Sequence, residues 1–171
     1  MPGIAGIEET LSAVPDARRS KWDIIIFLSC VFAVVIFDRL TKNFFSGLLD
    51  LNESIAVIPN VFHFSLVHNT GIAFGFFKDC GAVFIIIPVI LTGLLIYNVY
   101  YYRHSPQLSR IYIIAFSLIL GGAIGNLFDR IFLGYVIDFV DFRVWPVFNV
   151  ADSAITIGAA IILLKCIPAG K

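Results

Sequence analysis

Apolar residues gather into four blocks, and the polar stretches between them set the organisation of the chain. The first block opens at Trp22 and reads WDIIIFLSCVFAVVIF. A spanning helix needs about 20 residues, so this helix is expected to continue through Asp38, Arg39 and Lys42, over 22–45. The second covers 81–102, with a kink expected at Pro88 and an aromatic belt at Tyr97 and Tyr100 to Tyr102. The third covers 111–127 and the fourth 150–167. Residues 1–20, with their Pro, Gly and Glu, read as a flexible cytoplasmic tail, which leaves 21–171 as one membrane-embedded unit with outer loops at 46–80 and 128–149.

The hydrophobic period changes in the first outer loop. Phe62, Phe64 and Leu66 alternate with His63, Ser65 and Val67, which predicts a short strand, and Asn69 with Gly71 then gives a turn. Composition alone favours a plain hairpin connector here; the functional alternative is a small sheet resting on the membrane surface, whose edge could pair with an extended peptide. Ile72, Ala73, Phe74, Phe76 and Phe77 are expected to dip back into the interface.

Composition agrees with the blocks. Hydrophobic residues make up 59% of the 171 positions and charged ones 14%, against about 45 to 50% and 25% in soluble domains. The predicted fold is therefore an α-helical integral membrane protein, with four transmembrane helices and a small extracytoplasmic β-sheet platform. A formal net charge of zero gives no ground for a nucleic-acid partner. Cys30, Cys80 and Cys166 lie far apart, as do His63, His68 and His104, so neither a metal nor a cofactor is expected.

Basic residues give the orientation. Arg18, Arg19, Lys21, Arg103, Arg110, Lys165 and Lys171 share one side, which places both termini in the cytoplasm. Arg39, Lys42, Lys78, Arg130 and Arg143 face the other side, several of them beside acidic partners. RRSKW followed by IIIFLSC has the outline of a targeting signal, but Asp23 interrupts its start and the apolar run continues past Cys30.

The chemistry concentrates toward the outer rim. Asp152 stands in the first turn of the last block, where a charge in a spanning segment needs a partner or a use. Asn126, Asp129 and Arg130 are spaced to share a helix face and to point toward Asp138 and Asp152. A plain interfacial salt bridge between Asp129 and Arg130 would explain those two equally well, and close helix packing is sufficient for Gly121, Gly122 and Gly125. Two carboxylates held together share a proton near neutrality, so one can act as base and the other as acid on a water and a carbonyl.

Five pieces of the chain together resemble the bacterial lipoprotein signal peptidases, also called type II signal peptidases. They are FDRLTK, HNTGIAFGF, GGAIGNLFDR, VIDF and FNVADSAI, in the family's order from the first block to the last. The resemblance implies an aspartyl endopeptidase that removes signal peptides from prolipoproteins, cutting before a diacylglyceryl-modified cysteine. It implies Asp138 and Asp152 as the catalytic pair. It gives binding or supporting roles to Asn69, Gly71, Asn126, Asp129, Arg130, Asn149, Ala151, Asp38 and Lys42.

It also implies residence in the bacterial cytoplasmic (inner) membrane with the site near the periplasmic face. The implied partners are prolipoproteins and membrane lipids, and the enzyme is expected to be a monomer. Which aspartate is the base stays open, although a helix N-terminus gives a slight reason to choose Asp152. Asp141, three residues beyond Asp138, is a rival, and the segment between the two aspartates is short for the family. Two other classes remain: a small proton-coupled transporter, which would carry its charges near mid-membrane, and a non-catalytic scaffold in which each aspartate is satisfied separately.

Overall fold

The computed structural model describes residues 17–71, 83–102 and 109–166. Along the chain it builds α1 (Ala17–Leu48), β1 (Ser54–Ile58), β2 (Phe62–Asn69), α2 (Val83–Tyr102), α3 (Arg110–Phe132), β3 (Val136–Asp141) and α4 (Val150–Cys166). The apolar segment expected to dip into the interface, Ile72 to Phe77, lies outside the described residues.

Polarity runs from inside to outside in the sense opposite to that of a soluble domain. The largest fully buried side chains are Lys42, Val136, Asn149, Asp38, Asp129, Asp138 and Ser117, all polar except one. Phe32, Phe37, Leu40, Phe44, Leu91 and Leu94 stand exposed on α1 and α2. Such a molecule is at ease only where its surroundings are apolar, because water would leave this surface unburied and charges are seldom fully buried unless paired. Two helical stretches, Lys21–Leu48 and Arg110–Phe132, are long and apolar enough to cross a bilayer.

α1 has 32 residues and so measures about 48 Å at 1.5 Å per residue, well beyond the roughly 30 Å of hydrocarbon. Its surplus C-terminal turns support the sheet. Phe45 stacks on Phe139 with ring centroids 4.3 Å apart and meets Phe64 at 4.5 Å. With Leu49, Leu66 and Ile137 these rings form the core beneath the strands.

The sheet is antiparallel in the order β1-β2-β3. Its second pairing joins segments separated in sequence by two helices, and sets Val67 opposite Asp138 and Asn69 opposite Val136. β2 contains the expected alternation and more. A bulge between Phe64 and Val67 breaks the register with β3, and His63 and Ser65 are buried as well as Leu66. Those polar side chains face polar partners, described below.

α3 is the spine on which the other helices pack. Gly122 and Gly125 are among the glycines that set its distances. A methyl group at Gly122 would collide with the Ala151 carbonyl of α4, and one at Gly125 would come within 2.7 Å of the Asp38 carboxylate of α1. α3 also runs on to Phe132, past the expected end near Leu127, so Asp129 and Arg130 are helical. Their charges do not end the helix because both side chains turn inward.

Candidate active site

Asn149 is the residue around which the site is built. It precedes the first turn of α4, and its side-chain oxygen accepts from the Asp152 backbone N–H at 2.9 Å. The Asp152 carboxylate answers by accepting from the Asn149 N–H at 3.3 Å. This is a reciprocal cap, with Asn at the N-cap and an acid three residues on, and it satisfies two backbone donors that the helix end would leave unmade. The same exchange fixes the direction of the Asp152 carboxylate.

The amide nitrogen of Asn149 then crosses to the sheet. It donates to Asp138 Oδ1 at 2.6 Å, to the Ile137 carbonyl at 3.2 Å and to Asn126 Oδ1 at 3.1 Å. The other oxygen of Asp138 accepts from Asn69 Nδ2 at 2.9 Å, and Asn69 is itself oriented by the Gly71 N–H, which donates to its Oδ1 at 2.9 Å. Asn126 Nδ2 donates to Asp152 Oδ1 at 2.8 Å. Three asparagines thus hold two carboxylates that come from different elements.

Asp138 is 1% exposed. Burial, and after it the charge of Asp152, push its pKa from the usual 3.8 up to about 7, against the opposing pull of the Asn69 and Asn149 hydrogen bonds and of Lys42. The Arg130 guanidinium faces Asp152, Asp138 and Asp129 electrostatically. His68 stacks on Tyr135 at 3.7 Å, and burial lowers its pKa below 6.5.

Behind this layer lies a buried ion network. Lys42 Nζ contacts Asp38 Oδ2 and Asp129 Oδ2, each at 2.8 Å, and donates to Asn126 Oδ1 at 3.0 Å. Arg39 meets the other oxygen of Asp129 at 2.8 Å and lies over the Phe128 ring. Asp38 Oδ1 accepts from the Ala151 N–H at 3.0 Å. Beyond the bridge considered for Asp129 and Arg130, the Asp129 carboxylate is thus held from α1. α1 presents Arg39 and Lys42 to Asp129 because the two helices pack closely.

Asp141 has other company. Its carboxylate accepts from Ser65 Oγ at 2.7 Å and from the Arg143 N–H at 2.8 Å. Burial alone would raise its pKa, but these bonds and the charges of Arg143 and His63 outweigh it and hold the group below 3.8. Of the residues singled out in the sequence, Asn69, Asn126, Asn149, Asp138 and Asp152 meet in one layer, with Gly71 behind Asn69. Asp38, Lys42, Asp129 and Ala151 form the support beneath.

A cleft of about 850 Å³ opens beside Asp152, Asn126, Asn69 and Arg130. Pro88, Leu91 and Leu95 of α2 line one side and Ile155 and Ile157 of α4 another, while Trp145 to Phe148 close a third. Sequence reasoning did not assign that last segment a role. Its signal was WPVF, a bulky apolar run in a loop.

A family model described as signal peptidase (SPase) II matches residues 30–168. The chain belongs to the signal peptidase II family. The lipoprotein signal peptidase of Halothermothrix orenii is 42% identical over 134 residues, covering 78% of this chain and 90% of its own. That of Pseudomonas putida is 35% identical over 167 residues, covering 92% and 96%. A solved bacterial membrane enzyme superposes with a TM-score of 0.75 at 33% identity, over 86% of this chain and 93% of its own. Signal peptidase II membership thus extends across the helices, the sheet and the buried network described above.

Proposed function

We propose that this chain is the aspartic endopeptidase that its family membership indicates, removing signal peptides from prolipoproteins by hydrolysis before a diacylglyceryl-modified cysteine. The observation that carries the reading is the Asp138 and Asp152 pair, joined through Asn149, with Asp152 lining a largely apolar cleft. Acyl chains of a lipidated substrate suit the apolar walls, and the peptide bond beside them suits the polar mouth.

In this reading the pair shares one proton near neutral pH; when it sits on Asp138, Asp152 is the base. Asp152 takes a proton from water, and the oxygen attacks the scissile carbonyl carbon. The Asp138 proton hydrogen-bonds the carbonyl oxygen as negative charge develops there. Collapse of the tetrahedral intermediate breaks the C–N bond, and the proton gained by Asp152 passes to the leaving amine of the cysteine. Arg130 orients the substrate backbone.

All four long helices cross the membrane in this reading. α2 and α4 add to the two clear spans, with 20 and 17 residues respectively. Both termini are then cytoplasmic, and the sheet lies at the outer face of the bacterial inner membrane. The protein works as a monomer among lipids without a cofactor. The depth of Asp152, in the first turn of α4, supports this placement over a transporter with mid-membrane charges.

The test is cleavage of a diacylglyceryl-modified prolipoprotein by purified protein beside Asp138→Asn and Asp152→Asn. Both variants should be inactive, and the unlipidated precursor should be a poor substrate. Undiminished turnover by either variant refutes the pair.

A further inference from the structure

A second polar cluster sits on the sheet, away from the carboxylate pair. Arg143 Nη2 lies 2.8 Å from His63 Nδ1 and 3.4 Å from Ser54 Oγ, and Nη1 lies 3.4 Å from Asp141 Oδ2. Ser54 Oγ is 2.8 Å from Ser65 Oγ, which donates to Asp141 Oδ2. The directions of these bonds follow from their chemistry. A guanidinium only donates, so His63 Nδ1 accepts. Ser65 spends its proton on Asp141, so it accepts from Ser54, which in turn accepts from Arg143. The result is a closed ring through Ser54 of β1, Ser65 of β2, Asp141 of β3 and Arg143 beyond it, with His63 of β2 held on the same guanidinium.

The cluster contains serine, histidine and aspartate, yet it is not a hydrolytic triad. His63 Nδ1 accepts from Arg143 and Ser54 Oγ, 3.2 Å from it, has already given its proton to Ser65; Nε2 is buried without a partner among the described residues, and the Asp141 carboxylate is occupied by Ser65 and Arg143. Its function must lie in what it holds.

What it holds is one end of the cleft wall. Arg143 has a positive φ of 65°, an uncommon conformation for a side chain of its size, and its N–H is tied to Asp141. Phe142 beside it stacks on Phe62 and Phe148. The far end of the segment is fixed at Phe148, whose carbonyl accepts from the Phe139 and Val140 N–H groups and whose own N–H donates to Val140. Trp145, Pro146 and Val147 lie between these two anchors in sequence and line the cleft.

We propose that Arg143 is a positioning residue that latches the 142–148 segment to the sheet and so sets how closely the cleft wall fits the substrate. The proposal rests on the reading of this cleft as the substrate site. The carboxylate pair is secured separately through Asn149, so the latch acts on binding and leaves the chemical step alone.

Cleavage kinetics of the lipidated prolipoprotein and amide hydrogen exchange together test it. Arg143→Ala should raise KM about threefold to tenfold, the loss expected for a few partly exposed hydrogen bonds, with kcat within about twofold. Exchange should quicken in 143–147 and not in α3 or α4. Arg143→Lys, with one short donor group in place of a fork, should behave like Arg143→Ala. His63→Leu should reproduce part of the effect, whereas His63→Asn, which keeps an acceptor near the Nδ1 position, should restore it.

Unchanged KM and unchanged local exchange in a folded Arg143→Ala protein overturn the proposal, as does a fall in kcat at constant KM. If Arg143→Ala does not fold, Ser54→Ala removes one link of the ring and should raise KM about twofold with faster 143–147 exchange. No change in either measurement for that variant counts against the latch. The exchange measurement needs no turnover, so failure of the proposed peptidase activity is separable from failure of the latch.

Discussion

Asp138→Asn keeps the shape of a buried side chain and removes its charge, which makes the energetic position of that carboxyl measurable. A pKa raised from 3.8 to about 7 is a shift of roughly three units, or about 4 kcal/mol between the protonation states. The folded state then binds more protons than the unfolded one across that window. The contribution is fully present below pH 3.8 and is lost as pH rises through 7.

The variant has no such dependence. It carries a separate and constant cost, because both oxygens of Asp138 accept from amide groups and an asparagine must turn its own NH₂ toward one of them. That mispairing costs about 1 to 3 kcal/mol. Asp138→Asn should therefore be the less stable protein near pH 4 and the more stable near pH 8, with the two melting curves crossing between. At this chain length about 1 kcal/mol moves the midpoint by roughly 2 to 4 °C, within reach of thermal melting in detergent at a series of pH values. A difference in melting temperature that stays constant from pH 4 to pH 8 would refute the reasoning. Cleavage of the lipidated substrate should be lost at every pH.

Three other substitutions probe the support of the site. Asn149→Ala removes the α4 cap and the bond that joins the two carboxylates, and should lower kcat by more than about a hundredfold while costing about 1 to 2 kcal/mol in chemical denaturation. Lys42→Met strips the counter-charge from Asp38 and leaves Asp129 with Arg39, both aspartates being fully buried, and should destabilise by about 3 to 5 kcal/mol; a melting temperature like that of the wild type would show that the network carries little. Gly125→Ala forces a methyl against the Asp38 carboxylate and should cost about 1 to 3 kcal/mol, read by thermal melting, with activity falling alongside.

Much of this arrangement was legible in the sequence because the bilayer imposes simple rules. Long apolar blocks give helices, and a charge within one must be used or paired, which brought Asp152 to notice; helical spacing singled out Asp129, and the family resemblance Asp38 and Lys42. The sheet was only partly legible. β2 showed its alternation, but SIAVI of β1 is a short exposed strand and VIDFVD of β3 mixes acids with apolar residues, so neither carries a clean period. The partners of Asp129 were hidden because they lie on a different helix, and helix-to-helix register is set by packing at Gly122 and Gly125. The N-x-x-D cap of FNVADSAI was written plainly, yet only the fold reveals that the capping asparagine also reaches Asp138.

Asn149 binds one carboxylate with its side chain and the other with its main chain. The link between them is thereby made by a residue at the junction of strand and helix, and does not depend on how one helix tilts against another. Bilayers of different thickness are met by tilting and local deformation of spanning helices. On the proposed reading, a reaction centre gauged in this way can keep its separation while the walls around it lean, so lipid composition should govern which substrates arrive well before it touches the bond-breaking step.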